Sequence, residues 1–198
     1  MTQTLTALFD DYDNAESAVT RLERAGVPRD DISIVASNAD DRHAAVGNGA
    51  ATAAGADAGE GAAIGATVGG IGGLLAGLGL LVIPGVGPIV AAGWLGATIV
   101  GALGGAAVGG AAGGLVGALT HAGVPEADAH IYAEGVRRGG SLVSARVSDD
   151  LVATARDILD SDDSKVDVDT RRASYKQEGW TGFDESAPAY TRAESARI

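Results

Sequence analysis

Residues 61–87 read GAAIGATVGGIGGLLAGLGLLVIPGVG. No side chain in this stretch ionises, and Gly61, Gly65, Gly69, Gly73 and Gly77 recur every fourth residue, about one helical turn apart. PGVGP at 84–88 is a breaker. Beyond it a second apolar segment, Ile89 to Thr120, continues the ladder with Gly93, Ala97, Gly101, Gly105, Gly109, Gly113 and Gly117. An interior glycine costs a helix about 1 kcal/mol relative to alanine, so helices this rich in glycine need a compensating contact. Small residues four apart supply one, because they let two helix backbones approach closely. Each segment also exceeds the roughly 20 residues needed to cross a ~30 Å hydrocarbon core. The pattern predicts a helical hairpin, zipped along its glycines, with both ends emerging on one side. It escapes water either in a membrane or in the core of an assembly.

Charge marks off this block. The chain has 26 acidic and 14 basic residues and a formal charge of −12, which argues against nucleic acid as a partner. None of those charges lies between 61 and 120, which hold 20 of the 31 glycines. There is no cysteine, so disulfides and thiolate metal sites are excluded. The first residues carry neither a basic start nor an apolar run, so no secretory signal is visible and a cytoplasmic origin is expected for both termini.

Outside the block the pattern is that of a polar domain in two halves. Thr4–Phe9 reads as a strand. Ala15, Ala18, Val19, Leu22 and Ala25 follow at helical spacing, with Asp13 as the expected cap. Gly26 and Pro28 end that helix, and Ile32–Ala36 is a buried strand. After the block, Pro125 opens a helix over Glu126–Arg138, and Gly139 and Gly140 stop it. Ser141–Val147 is a strand. Ser148 is positioned to cap a helix bearing Leu151, Val152, Ala155, Ile158 and Leu159. Lys165–Thr170 alternates like a last strand. AGVPRDD at 25–31 recurs as AGVPEAD at 122–128, either a trace of duplication or two independent turns. The expected class is α+β: a ferredoxin-like split βαβ sandwich of four strands with helices on one face, interrupted by the hairpin. Its parts are 1–58, the hairpin 59–120, the second half 121–172 and an irregular tail 173–198.

Chemical motifs are scarce. P-loop, HExxH and GxSxG patterns are missing, and His43, His121 and His130 are far apart. Acidic pairs such as Asp10-Asp11, Asp149-Asp150 and Asp162-Asp163 sit where caps and turns belong. No catalytic, cofactor or metal residues are predicted, and no cofactor. Arg137 and Arg138, in GVRRGG, are the one candidate anion contact, for instance with lipid phosphates, against a plainer reading as solvated side chains. The tail holds Tyr175, Trp180, Phe183 and Tyr190, half of all the aromatics, in a polar, Gly- and Ser-containing setting. Such aromatics anchor something. The expected dock is the parent domain or its oligomer, with a separate protein partner as the alternative.

TALFDDYDNAESAVTRLERAGVPRDDISIVAS (6–37) resembles the N-terminal unit of bacterial general stress proteins with a YflT-type, heat-induced stress domain. IYAEGVRRGGSLVSARV (131–147) resembles a motif of the related YsnF-like group, and the glycine-rich hairpin and the GWTGFD tail (179–184) fit such proteins. The resemblance implies a stress-linked role and brings no catalytic residues. The expected function is therefore non-enzymatic: a homo-oligomeric stress-response protein associating through its hairpin, at the cytoplasmic membrane with both termini inside. The rivals are a soluble cytoplasmic scaffold that recruits partners through its tail, and a ligand-binding domain with the hairpin as its anchor.

Overall fold

The structure, a computed structural model, describes residues 2–38, 79–83, 85–105, 114–162, 164–188, 190 and 194. The described chain is an α+β fold around one five-stranded antiparallel sheet. Its strands are β1 (Thr2–Phe9), β2 (Ile32–Ser37), β3 (Gly79–Ile83), β4 (Gly87–Ala92) and β5 (Ser141–Ser148), in the order β1-β5-β2-β4-β3. The described helices are α1 (Tyr12–Arg24), α2 (Trp94–Gly105), α3 (Leu115–His121), α4 (Glu126–Arg137), α5 (Val152–Asp160) and α6 (Val168–Gln177).

Strand periodicity builds two cores from one sheet. Ala7, Phe9, Ile32, Ile34, Val90, Ala92, Val143 and Ala145 point to one face and are covered by α1 and α5. Leu8, Val35, Ile89, Ala91 and Leu142 point to the other, with Leu95 and Ile99 of α2, Leu115 and Leu119 of α3 and Ala133 and Val136 of α4. Helices thus cover both faces, not one, because β2, β4 and β5 are apolar on both sides.

The long helical hairpin is the main correction. Residues 79–83 and 87–92, expected at the end of one helix and the start of the next, are strands β3 and β4, paired from Gly79–Ala91 to Ile83–Gly87. Strand β4 continues onto β2 through Ile34–Ala92 to Ser37–Ile89. The Val86 N–H bonds to the Ile83 carbonyl at 3.1 Å, so the breaker is a tight turn. A short apolar run has the composition of a buried helix, and periodicity cannot separate the two. The chain after β4 turns helical at Trp94. No helix among the described residues is long and apolar enough to cross a membrane.

The expected glycine ladder fares accordingly. Gly61, Gly65, Gly69, Gly73, Gly77, Gly109 and Gly113 lie outside the described residues, as does His43. Ala97, Gly101 and Gly105 are in α2 and Gly117 is in α3. Gly93 is in no helix. It forms the bend between β4 and α2, with φ of 84°, pressed against the backbone of β2.

Smaller expectations also shift. Asp11, not Asp13, sits at the N-cap of α1, and Leu151 takes the cap of α5 while the Ser148 carbonyl accepts its N–H at 2.9 Å. The last strand, Lys165–Thr170, shrinks to one bridge, Lys165 with Phe9. Asp167 then caps α6, accepting the Thr170 N–H at 2.7 Å, so the chain turns helical where alternation predicted extension. The repeated AGVP has a common local role. Gly26 and Gly123 end α1 and α3 in the left-handed conformation, and the N–H groups of Val27 and Val124 reach back to Leu22 and Leu119. This is a Schellman stop used twice, with each valine buried beneath it.

Hydrogen bonds from Thr170 hold the Asp167 carboxyl below the usual aspartate range. A depressed carboxylate contributes stability that is present above its unfolded pKa of about 3.9 and lost as pH falls through the lower folded value. We predict that Asp167→Ala lowers the thermal midpoint at pH 7, and that the gap to wild type closes as the pH drops below about 4. Midpoints followed from pH 7 to 2 by circular dichroism check this.

Candidate docking site at the Arg137–Arg138 pair

The site begins with an ion pair inside one helix. Glu134 precedes Arg138 by four residues, so the two share a face of α4. That face meets α6, and Glu134 is fully buried. Arg138 Nε donates to Glu134 Oε1 at 2.7 Å, and its NH1 donates to Glu178, just past α6. Arg137 NH1 lies 3.5 Å from Glu134 Oε2. Burial works against the charge of Arg138, yet the bonds to Glu134 and Glu178 more than offset it and raise its pKa.

The tail aromatics converge on the same two arginines. The Arg138 guanidinium lies 4.1 Å from the Tyr175 ring centre and 5.5 Å from that of Tyr190. Arg137 lies 4.7 Å from the Tyr190 ring centre. Such stacks contribute roughly 0.5–2 kcal/mol each, more as they lose water. Tyr175 meets Trp180 edge to face at 5.7 Å, and the Trp180 N–H bonds to the Tyr175 carbonyl at 2.9 Å. Tyr175 is in α6, so the tail starts as helix and not as the irregular segment expected from 173. Burial raises the Tyr175 pKa, with Arg171 and Arg138 opposing.

Beyond Trp180 the chain crosses the helix layer of the second core. Phe183 packs against that core, and its N–H donates to His130 Nδ1 at 3.3 Å, which fixes His130 as an acceptor there. Asp184 accepts the N–H and hydroxyl of Ser186 at 2.8 and 2.6 Å, folding the segment into a turn. Glu185 lies on the β3–β4 turn: a Cβ on Gly85 would come within 2.6 Å of its Cα. One on Gly114, ahead of α3, would be 3.3 Å from its carboxylate. Alpha6 is pinned from below by Arg171 to Asp10 through bonds of 2.7 and 2.9 Å and by Arg172 to Asp128. Tyr132 reaches from α4 to the Thr6 carbonyl of β1, and its pKa is pushed up to about 12 by burial and by Asp128, with Arg172 opposing.

The candidate anion contact and the candidate docking tail are therefore one site, with the tail as its occupant. Arg137 and Arg138 are not free to meet a phosphate while Glu134, Glu178 and Tyr190 hold them. Glu134, Glu178 and His130 belong to the site and were not singled out from sequence. EGVRR carries the signal for Glu134, a carboxylate one turn ahead of an arginine. Nothing local marks Glu178 or His130.

A second concavity, about 310 Å³, lies at the end of β1 between the starts of α1 and α6, lined in part by Asp10, Asp11, Lys165, Asp167 and Arg171. Most of its charges already have partners: Arg171 on Asp10 within the cleft, Lys165 on Asp160 outside it, and Asp167 on its own helix. Among the described residues no cluster of His, Asp or Glu could hold a metal ion.

In a comparison with known families, residues 4–81 fit the family model of the heat induced stress protein YflT domain, the family the N-terminal unit resembles. No curated protein and no solved structure matches the chain. The matched stretch contains β1 and β2, which do not pair with each other; β5, from outside it, pairs with both.

Proposed function

From a heat-induced stress domain at residues 4–81 as premise, we propose that the chain is a non-enzymatic stress-response protein that assembles with copies of itself through its charge-free region. Its frame is a ferredoxin-type split βαβ, with β1 and β2 flanking β5 and Lys165 as the remnant of a fourth strand. The observation that carries the assembly is the sheet edge at β3, which no strand pairs among the described residues. Val82 is 71% exposed, the one large exposed hydrophobic among the described residues, and it lies on the terminal strand. The opposite edge, β1, is partly closed by the Lys165 bridge. Open apolar edges pair with further strands unless a charge or proline prevents it. In a chain of net charge −12, copies repel one another least where charge is missing.

We predict that the wild-type chain sediments as an oligomer, and that Val82→Lys weakens its self-association at least tenfold. A monomeric wild type, or an unchanged oligomer in the variant, defeats the proposal. Carbonate-resistant pelleting from cells would favour the membrane reading instead, with the charge-free region as the anchor. A ligand-binding role would rest on the cleft at Asp10, where the partners its charges already have count against it.

A further inference from the structure

We infer that the segment from Trp180 to Tyr190 is a displaceable strap, and that the surface beneath it is a peptide-recognition site which takes the same segment from a second copy of this chain. The strap is lightly held. Thr181, Asp184, Glu185, Ser186 and Pro188 are exposed, and only Phe183 packs on a core cluster. Among the described residues its fixed points are few: Trp180 on Tyr175 where the strap leaves α6, the Tyr190 ring on two guanidiniums, one N–H on His130, and the contacts of Glu185 at Gly85 and Gly114. Segments with few buried apolar contacts open at a small fraction of the global unfolding energy.

The receptor stands without the strap. Arg138 keeps Glu134, Glu178 and the Tyr175 ring, all of which precede Trp180. An open strap therefore leaves a preformed platform on α4: Arg137 and Arg138 stacked to receive an aromatic ring, His130 Nδ1 to receive an N–H, and Gly85 to admit a close backbone. That platform presents two guanidiniums and the Tyr175 ring, and the charge of Arg137 acts on Asp184 of the strap. It selects an acidic segment ending in a ring, which is the chemistry of Phe183-Asp184-Glu185 followed by Tyr190. A strap leaving its own platform can fill that of a neighbour with identical contacts, so exchange between copies costs no new interface. The site borders β3 only at the β3–β4 turn, through Gly85, and makes no use of Val82.

The test uses the full chain and a fluorescent peptide of residues 180–190. Tethered straps compete at an effective concentration in the millimolar range, so wild type should bind the peptide weakly. Phe183→Ala/Tyr190→Ala, with its strap detached, should bind it at least tenfold more tightly, and a peptide carrying Tyr190→Ala should lose that binding. Tyr190→Ala alone serves if the double variant does not unfold cooperatively. Mixing the strap-detached variant with Arg137→Ala, whose platform is impaired and whose strap is intact, should give a heterodimer by sedimentation. Equal binding to wild type and variant, binding to neither, or no heterodimer overturns the inference. Repeating the titration in a Val82→Lys background should leave peptide affinity unchanged, whatever happens to assembly through the edge.

Discussion

Gly93→Ala destabilises the fold by about 4 kcal/mol, the sum of a left-handed backbone penalty and a clash that side-chain repacking cannot relieve. At φ of 84° an added Cβ would sit 2.1 Å from the Ile32 carbonyl oxygen and 2.9 Å from the Ser33 Cα. Both are backbone atoms of β2, held by β4 and β5 on either side. The bend also aims α2. The Leu95 N–H donates to the buried Ser33 hydroxyl at 2.8 Å, and Trp94 Nε1 donates to the Asp31 carbonyl at 3.1 Å. Pushing Gly93 off β2 breaks both. Gly123→Ala is the control, because φ is 92° there but nothing lies within 4 Å of the new methyl. It should cost only about 1–2 kcal/mol. Urea unfolding of the two variants measures the difference; equal losses would mean that the bend does not touch β2.

Arg138→Met should cost about 4 kcal/mol, because it strands a carboxylate that has no access to water. Glu134 is 0% exposed and its hydrogen bond is to Arg138; Arg137, at 3.5 Å, pairs with its charge but makes no hydrogen bond to it. The penalty comes from the orphaned charge and not from the net worth of the pair. Removing both charges tests that distinction. Glu134→Leu/Arg138→Met should recover stability to within about 1 kcal/mol of wild type, as apolar replacements of buried pairs do. If the double variant is as unstable as the single one, the arginine matters through its stack on Tyr175 and its bond to Glu178, and the reasoning about Glu134 fails.

The polar halves of the fold were largely legible. Helix α1 shows its buried face in Ala15, Ala18, Val19 and Leu22 because it obeys one periodicity and ends on a strong stop, and β2 shows itself in a short β-branched run. The segment at 79–92 was not legible. LLVI and IVAA have no polar positions to reveal whether the repeat is 2 or 3.6, and the glycine ladder on either side pointed to helix. The site was legible as two separate lists. Arg137 and Arg138 stood out as a basic pair, and Tyr175, Trp180, Phe183 and Tyr190 as misplaced aromatics. Their meeting needed the turn that α6 makes after Lys165, where an aspartate cap overrode an alternating pattern.

By itself, the sequence determined where charge is absent, where the helices of the polar halves stop, and that the tail must rest its aromatics on something. These are local properties: a side chain's ionisation, a glycine's accessible backbone, a ring's aversion to water. Only the tertiary structure decided that β5 enters between β1 and β2, that the apolar turn region extends their sheet, and that Gly93 faces a strand instead of a helix. Each of those depends on which distant backbone groups pair. Residues 2–9 and 141–148 find each other across more than a hundred residues of intervening chain, and no short window carries that information.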